Sequence, residues 1–189
     1  MSDLETVNSE ELFLFVEPDE AYKDEIWAFR AEVIEFDSEC GDKFAGCYAM
    51  ERSNSAEEWI DICEKLTNSE MCKEVGAAVP SHQYLMVRKE DGRVVGIYDL
   101  REHIDHPILS VWGGHCGYTV RPTERGKGYA KIMMKLGLEK AKDLGIDRIL
   151  VTCDTANIAS EKAILANGGV LENVIDVDGC PVKRYWITV

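Results

Sequence analysis

Long hydrophobic runs are absent from this chain of 189 residues, and its cysteines show no paired spacing. A helix that crosses a membrane needs about 18 or more consecutive apolar residues, so we expect no membrane partner. The segment 1–11 is acidic and has no long apolar stretch, which argues against a secretory signal peptide. The seven cysteines form no Cys-x-x-Cys pair and are odd in number, which predicts a reduced, cytoplasmic protein.

Positive charge is also scarce, because 21 Lys and Arg face 35 Asp and Glu, for a net charge of −14. The acidic excess lies in residues 1–80, which contain 21 acidic and 6 basic side chains. Nucleic-acid binding needs clustered cations, so we expect no nucleic-acid partner. The acidity is compatible with attraction of a cationic amine substrate, although an ordinary solvated surface explains it too.

Hydrophobic residues make up 46% of the chain, enough to build a core. Their periodicity predicts one domain over residues 1–189, of mixed α/β (α+β) class. Residues 1–80 form an acidic part with two flap helices, and residues 81–189 form the core of the sheet. We expect a mixed, mostly antiparallel central sheet of about seven strands with helices on both faces. The predicted strands are 12–16, 84–87, 94–98, 109–120, 148–153, 170–177 and 182–188. Two helices are predicted at 19–35 and 129–144. A third helix begins at the capping box Ser55–Glu58, and a fourth is capped by Asn157 and runs to about residue 167.

Residues 117–130 are typical of a strand end, a turn and a helix start, and they overlap the locally basic segment 121–142. Gly126 and Gly128 have no Cβ, so their backbone N–H groups can approach a ligand closely. The following helix offers free N–H groups and a partial positive charge at its N-terminus, which favour an anion. The segment therefore predicts a diphosphate site, with an ordinary strand–turn–helix as the alternative. The cations around it are Arg125, Lys127 and Lys131.

Two common phosphate motifs do not fit this segment. A Walker loop requires Ser or Thr after the lysine, but Gly128 follows Lys127. A dinucleotide fingerprint requires a third glycine where Lys131 stands. The pattern that fits is Arg-x-x-Gly-x-Ala, formed by Arg125, Gly128 and Ala130. It resembles the acyl-CoA pyrophosphate loop of the GNAT acetyltransferase superfamily.

A second local resemblance to the same superfamily follows the strand 148–153. Asn157 has a small residue, Ser160, three positions later and Gly168 at the end of its helix, as GNAT proteins commonly do. Asn157 could bind pantetheine amide groups while it caps the helix, or it could only cap. Residues 113–115 read Gly-Gly-His, as in a bacterial GNAT subgroup. The order of predicted elements also matches the GNAT layout along the whole chain.

The resemblance implies an N-acetyltransferase that moves an acetyl group from acetyl-CoA to a primary amine by direct attack. The acceptor would be a small molecule or a peptide, no metal is implied, and a homodimer is one assembly open to such a protein. Alternatives are a longer acyl group, or a non-catalytic acyl-CoA-binding or sensor module on the same fold. The residues implied in cofactor binding are Thr119, Val120, Arg125, Gly126, Lys127, Gly128, Tyr129, Ala130, Asn157 and Ser160.

The catalytic side chains are less well marked, and the candidates are His115, Glu102 and Tyr118. His115 precedes the loop on the predicted strand, and an ordinary histidine pKa of about 6.5 suits a general base. GNAT members often have a tyrosine that protonates the thiolate at the position of Ile164, so another tyrosine (Tyr118, Tyr129 or Tyr185) takes its place or the thiolate leaves unassisted. Cys116 and Cys153 are interpreted as buried small side chains rather than nucleophiles. The pair His103-x-x-His106 has no evident third ligand, so we expect no metal site.

Overall fold

The computed structural model describes residues 9–37 and 44–189, so the predictions for residues 1–8 and 38–43 lie outside the described residues. The strands are β1 (Phe13–Val16), β2 (Ser81–Arg88), β3 (Val94–Arg101), β4 (Cys116–Val120), β5 (Arg148–Asp154), β6 (Val170–Val177) and β7 (Cys180–Thr188). The α-helices are α1 (Ser9–Leu12), α2 (Lys23–Phe36), α3 (Ala56–Leu66), α4 (Met71–Glu74), α5 (Tyr129–Asp143) and α6 (Ile158–Ala166). Short 3₁₀ turns span Glu20–Tyr22, Met50–Arg52 and Pro122–Glu124, and a π-helix spans Leu109–Gly113.

The strands form two antiparallel sheets, one in the order β1-β2-β3-β4 and one in the order β5-β7-β6. The sheets meet at His115, whose N–H donates to the carbonyl of Leu150 over 2.8 Å. The prediction of about seven mostly antiparallel strands is confirmed, although they divide into two sheets. Beyond this contact β4 and β5 form no ladder in the described residues, and we call the gap between them the splay.

Helices cover both faces of the sheets, as predicted. On one face α5 and α6 bury side chains such as Met133 and Ile164 against Tyr98 of β3 and Tyr185 of β7. On the other face α2 and α3 pack on β2 and β3, and we call this the α2/α3 face. Trp59, Cys63 and Leu66 are buried along α3 at the spacing of an amphipathic helix. Full burial of a large apolar side chain stabilises the fold by about 2 kcal/mol.

Local signals set the helix ends. The Ser55 hydroxyl accepts the Glu58 N–H at the start of α3, and the Asn157 side chain accepts the Ser160 N–H at the start of α6. After α5, Gly145 adopts φ +74°, and the Ile146 N–H returns to the carbonyl of Ala141. A left-handed glycine with such a returning bond ends a helix without leaving its last carbonyls unpaired.

The prediction that the fourth strand begins near Leu109 is wrong. Residues Leu109–Gly113 form a π-helix, and β4 begins only at Cys116. Gly114 separates the two with φ +65° and ψ −174°, and a Cβ there would lie 2.6 Å from the Leu150 carbonyl oxygen. The two glycines before His115 therefore turn the chain against β5 instead of extending the strand.

Candidate active site

The predicted phosphate loop lies between β4 and α5. Gly126 and Gly128 have φ of +79° and +81°, and Gly128 is the N-cap of α5. Within residues 9–37 and 44–189, no atom lies within 4 Å of a Cβ built on either glycine, so their backbone conformation requires glycine there. The first N–H groups of an α-helix have no partner within the helix, so the open space at these glycines borders unsatisfied donors. This geometry is compatible with the predicted diphosphate site.

Two of the three predicted cations of the loop, Arg125 and Lys127, are paired with carboxylates. Arg125 donates to both oxygens of Asp37, the residue after α2, with an Nη1–Oδ1 distance of 2.8 Å, and its Nε donates to the carbonyl of Val120. This guanidinium lowers the pKa of Asp37. Lys127 Nζ lies 2.7 Å from Glu124, which is buried and also accepts from Arg88. A phosphate in the loop would therefore share these cations with two acids.

Helix α2 is fastened to the end of β4 by further ion pairs. The buried Arg121 donates to Glu32 at 2.7 Å and to Glu25 at 2.9 Å. Glu32 also accepts the N–H and hydroxyl of Thr123. Although burial opposes ionisation, the bonds from Arg121 and Thr123 lower the pKa of Glu32 to about 2. These contacts fix the end of β4 just ahead of the loop.

The pairing of β3 with β4 decides which backbone groups face the splay. The Arg121 N–H donates to Val95 of β3, and the Arg101 N–H donates to His115. Because bonding direction alternates along an antiparallel strand, odd-numbered residues of β4 direct their backbone groups to β3. The N–H groups of Tyr118 and Val120 therefore point toward the splay, where they can donate to a ligand carbonyl.

His115 forms the closed end of the splay. Its Nδ1 accepts the Leu150 N–H over 2.9 Å, and its own N–H donates to the Leu150 carbonyl. Burial, together with the charge of Arg101, lowers its pKa to about 4. With Nδ1 occupied as an acceptor, the neutral ring carries its proton on Nε2 and has no free lone pair to take up a proton. The geometry therefore does not support the prediction that His115 is the general base; it joins the two sheets.

Tyr118 links β4 to α6. Its hydroxyl lies 2.7 Å from the Ser160 hydroxyl, and its ring stacks on Tyr98 with centroids 6.2 Å apart. Burial raises the pKa of Tyr118. Asn157, whose side chain accepts the Ser160 N–H, brings a third predicted residue to the same end of α6. Ile164 is fully buried in the core.

The other candidates lie elsewhere. Glu102 pairs with His82 on β2 over 3.1 Å, at the far end of β3 from Val94. The Tyr129 hydroxyl lies 3.4 Å from Arg88, and the Tyr185 hydroxyl donates to Glu161 over 2.6 Å. Of the three tyrosines named as acids, Tyr118 is the one that contacts predicted cofactor residues.

Two cysteines flank the splay. Cys116 and Cys153 are buried, and burial raises both thiol pKa values, that of Cys116 to about 11. A buried thiol of raised pKa is a poor nucleophile, which supports the interpretation of both as packing residues.

Residues 45–46, just after the undescribed residues 38–43, cover the α2/α3 face of β4. Gly46 packs on Gly117 so closely that a Cβ on Gly117 would lie 2.8 Å from the Gly46 nitrogen. The Thr119 hydroxyl donates to the carbonyl of Ala45. Beside this contact is an open pocket of about 450 Å³, with the αL residue Ala49 at its rim. Its lining residues are Phe44, Cys47, Tyr48, Ala49, Glu51 and Arg52.

Sequence reasoning missed the acids that hold the loop cations, and it missed the buried Asp99. Asp99 accepts from Gln83 over 2.6 Å and pairs with Arg101 over 2.9 Å, in register with Gly117. A charged residue inside the otherwise apolar run 94–100 was the available signal for Asp99. Asp37 carries no such signal, because its partner is 88 positions away.

Two other features, a metal site and a membrane-spanning helix, are absent from residues 9–37 and 44–189. No group of three or more His, Cys, Asp or Glu side chains is placed to hold a metal ion. No helix in the same ranges is both long and apolar enough to cross a membrane.

Comparison with known proteins gives one family. The model of the acetyltransferase (GNAT) family matches residues 44–166. No curated protein sequence matches the chain significantly. Similar folds occur in the microcin C7 self-immunity acetyltransferase MccE, whose structure holds acetyl-CoA and AMP, with TM-score 0.64, 16% identity and coverage of 97% and 96% of the two chains.

Two further structures are similar to nearly the whole chain. Salmonella typhimurium YncA, solved with acetyl-CoA, has TM-score 0.59, 11% identity and coverage of 94% of each chain. RimL, the ribosomal L7/L12 α-N-protein acetyltransferase, has TM-score 0.62, 16% identity and coverage of 97% and 93%. At these identities the likeness concerns the fold.

Proposed function

The chain belongs to the acetyltransferase (GNAT) family, and from this we propose that it transfers an acetyl group from acetyl-CoA to a primary amine. The observation that carries the proposal is the glycine loop that caps α5 at the end of β4, directly beside the splay. Open space at two left-handed glycines, a helix N-terminus and two nearby cations together suit a diphosphate. MccE and YncA hold acetyl-CoA in their structures.

The residues that would bind acetyl-CoA follow from this geometry. The N–H groups of residues 126–130 would hold the diphosphate, with Arg125 and Lys127 as its counter-charges. Thr119 and Val120 on β4, and Asn157 and Ser160 on α6, would flank the rest of the molecule. Acetyl-CoA supplies the activated acetyl group as a thioester.

Tyr118 would serve the transfer at two points. Its backbone N–H points toward the splay, where it can stabilise negative charge on the acetyl oxygen. Its hydroxyl, bonded to Ser160, is protonated at neutral pH like that of any tyrosine and can donate a proton to the departing thiolate. The neutral amine attacks the thioester carbonyl directly, so no nucleophilic side chain is needed. The C–N bond forms as the C–S bond breaks, and the proton that the nitrogen loses passes through solvent and restores the Tyr118 hydroxyl. We place the reaction in the reducing cytoplasm because the seven cysteines of the sequence form no Cys-x-x-Cys pair and are odd in number.

The test is calorimetric titration of acetyl-CoA into the wild type and Gly128→Val. Valine at φ +81° costs about 1–2 kcal/mol of stability and moves the loop N–H groups, so acetyl-CoA affinity should fall at least about tenfold. Gly179→Val is the matched control: Gly179 has φ +84° and open space, but lies in the β6–β7 turn. It should lose similar stability and keep its affinity.

Absence of acetyl-CoA binding by the wild type, or equal loss in both variants, would contradict the proposal. Binding without turnover of any primary amine would favour the non-catalytic acyl-CoA-binding module instead.

A further inference from the structure

Residues 108–114, which we call the π-turn, connect the loop after β3 to His115. Two successive bonds of the π type shape it: the Gly113 N–H donates to Ile108 over 3.0 Å and the Gly114 N–H to Leu109 over 2.8 Å. Such i→i−5 turns are rare and occur frequently at functional sites. The turn has no role in the loop or in the splay as described above.

Five consecutive carbonyls of the π-turn accept bonds from side chains of β3, β5 and β7. The two arginines that donate are themselves paired, Arg101 with Asp99 and Arg184 with Glu172. Because these donors come from three strands, the turn is held in one conformation. The donors are Arg184 to residues 110 and 111, Thr152 to residue 112, and Arg101 to residues 113 and 114.

Three side chains of this fixed turn are apolar and face solvent. Ile108, Val111 and Trp112 are 47%, 46% and 45% exposed. Clustered exposed apolar side chains mark interaction sites, and a surface that is already rigid loses little entropy when it binds a ligand. The combination indicates a preformed apolar binding surface.

The π-turn borders the splay on the α2/α3 face. Arg101 follows Ile97 and Asp99 at alternate positions of β3, so its side chain and the turn lie on that face. The Thr152 hydroxyl, two residues beyond Leu150 on β5, fixes Trp112 above one side of the splay. Gly46 covers Gly117 on the other side. Residues 45–46 and Trp112 therefore lie on the same face, beside β4 and β5 respectively.

We propose that the π-turn binds the non-reacting part of the acceptor, and that the acceptor is a primary amine on an aromatic or aliphatic body. This inference rests on the proposed transferase function and specifies its substrate class. The apolar end suits Val111 and Trp112, and the net charge of −14 favours the approach of a cationic amine at long range. A small hydrophilic amine would leave the apolar surface uncovered.

The test compares two primary amines, 2-phenylethylamine and ethanolamine, by following thiol release from acetyl-CoA. The wild type should prefer 2-phenylethylamine in kcat/KM by about tenfold or more, as expected for one well-buried apolar group. Trp112→Ala should remove most of that preference through KM for 2-phenylethylamine. It should leave KM for ethanolamine and acetyl-CoA within about twofold. Val174→Ala, an apolar side chain 51% exposed on β6, is the control and should change neither amine.

Each other outcome overturns the inference. If Trp112→Ala affects both amines equally, the hypothesis of an apolar acceptor is wrong and the proposed transferase function still stands. The same conclusion follows if the wild type acetylates ethanolamine and shows no preference for 2-phenylethylamine. If sedimentation shows that Trp112→Ala converts a dimer to a monomer, a second copy covers the π-turn instead. If acetyl-CoA binds and neither amine is acetylated, this inference fails, and the proposed function is then decided by turnover of other primary amines, peptides included.

Discussion

Replacing Asp37 by Asn should tighten acetyl-CoA binding, which is an unusual direction for a substitution beside a binding site. Asp37 holds the Arg125 guanidinium through two hydrogen bonds, and its side chain is 15% exposed against 47% for Arg125. In the proposed function the diphosphate competes with this carboxylate for the same guanidinium. Without the carboxylate, the Arg125 guanidinium loses this competing partner and can bind the diphosphate more strongly.

The magnitude follows from the exposure of the pair. A half-exposed ion pair contributes up to about 1 kcal/mol, and the bidentate geometry favours the upper end. Releasing that competition should lower the acetyl-CoA dissociation constant about fivefold. Calorimetry at fixed ionic strength measures the change, since salt screens the partly exposed pair.

A double-mutant cycle identifies the cause. Asp37→Asn should have no effect on acetyl-CoA affinity in an Arg125→Gln background, because the competition no longer exists. Asp61→Asn is the charge-matched control: Asp61 forms a surface pair with Lys65 on α3, 2.6 Å apart. A gain of the same size in Asp61→Asn, or in Asp37→Asn with Arg125 absent, would refute the reasoning.

Two further predictions concern the splay. Tyr118→Phe should lower kcat about 100-fold in a thiol-release assay while the acetyl-CoA dissociation constant stays within twofold, and an unchanged kcat would mean that the thiolate leaves unassisted. Because the pKa of His115 is about 4 in the fold and 6.5 in the unfolded chain, its contribution to stability is complete above pH 6.5 and is lost toward pH 4. The free energy of unfolding should fall by up to about 1.4 kcal/mol per pH unit in urea titrations, and His115→Gln should flatten that slope.

The features that sequence predicted are those set by neighbouring residues. Ser55 and Asn157 cap the starts of α3 and α6, and Gly145 follows the end of α5. The bonds involved span three to five positions, so local sequence patterns were sufficient to predict these boundaries. The π-turn was missed because its shape depends on bonds to distant residues, among them Arg184, which is 74 positions from Ser110. Long-range bonds of this kind leave no periodic pattern in the sequence.

The same distinction applies to the acid that would protonate the thiolate. The family resemblance placed the acid tyrosine at position 164, where this chain has a buried isoleucine. The family pattern does not indicate which other residue could act as the acid. Protonation depends on where a hydroxyl lies rather than on the element that carries it. Tyr118 on β4 brings its hydroxyl to Ser160, four residues before Ile164 on the same helix. Because its N–H also points toward the splay, one residue can serve both the acetyl oxygen and the sulfur, and Tyr118→Phe would separate the two roles by removing only the second.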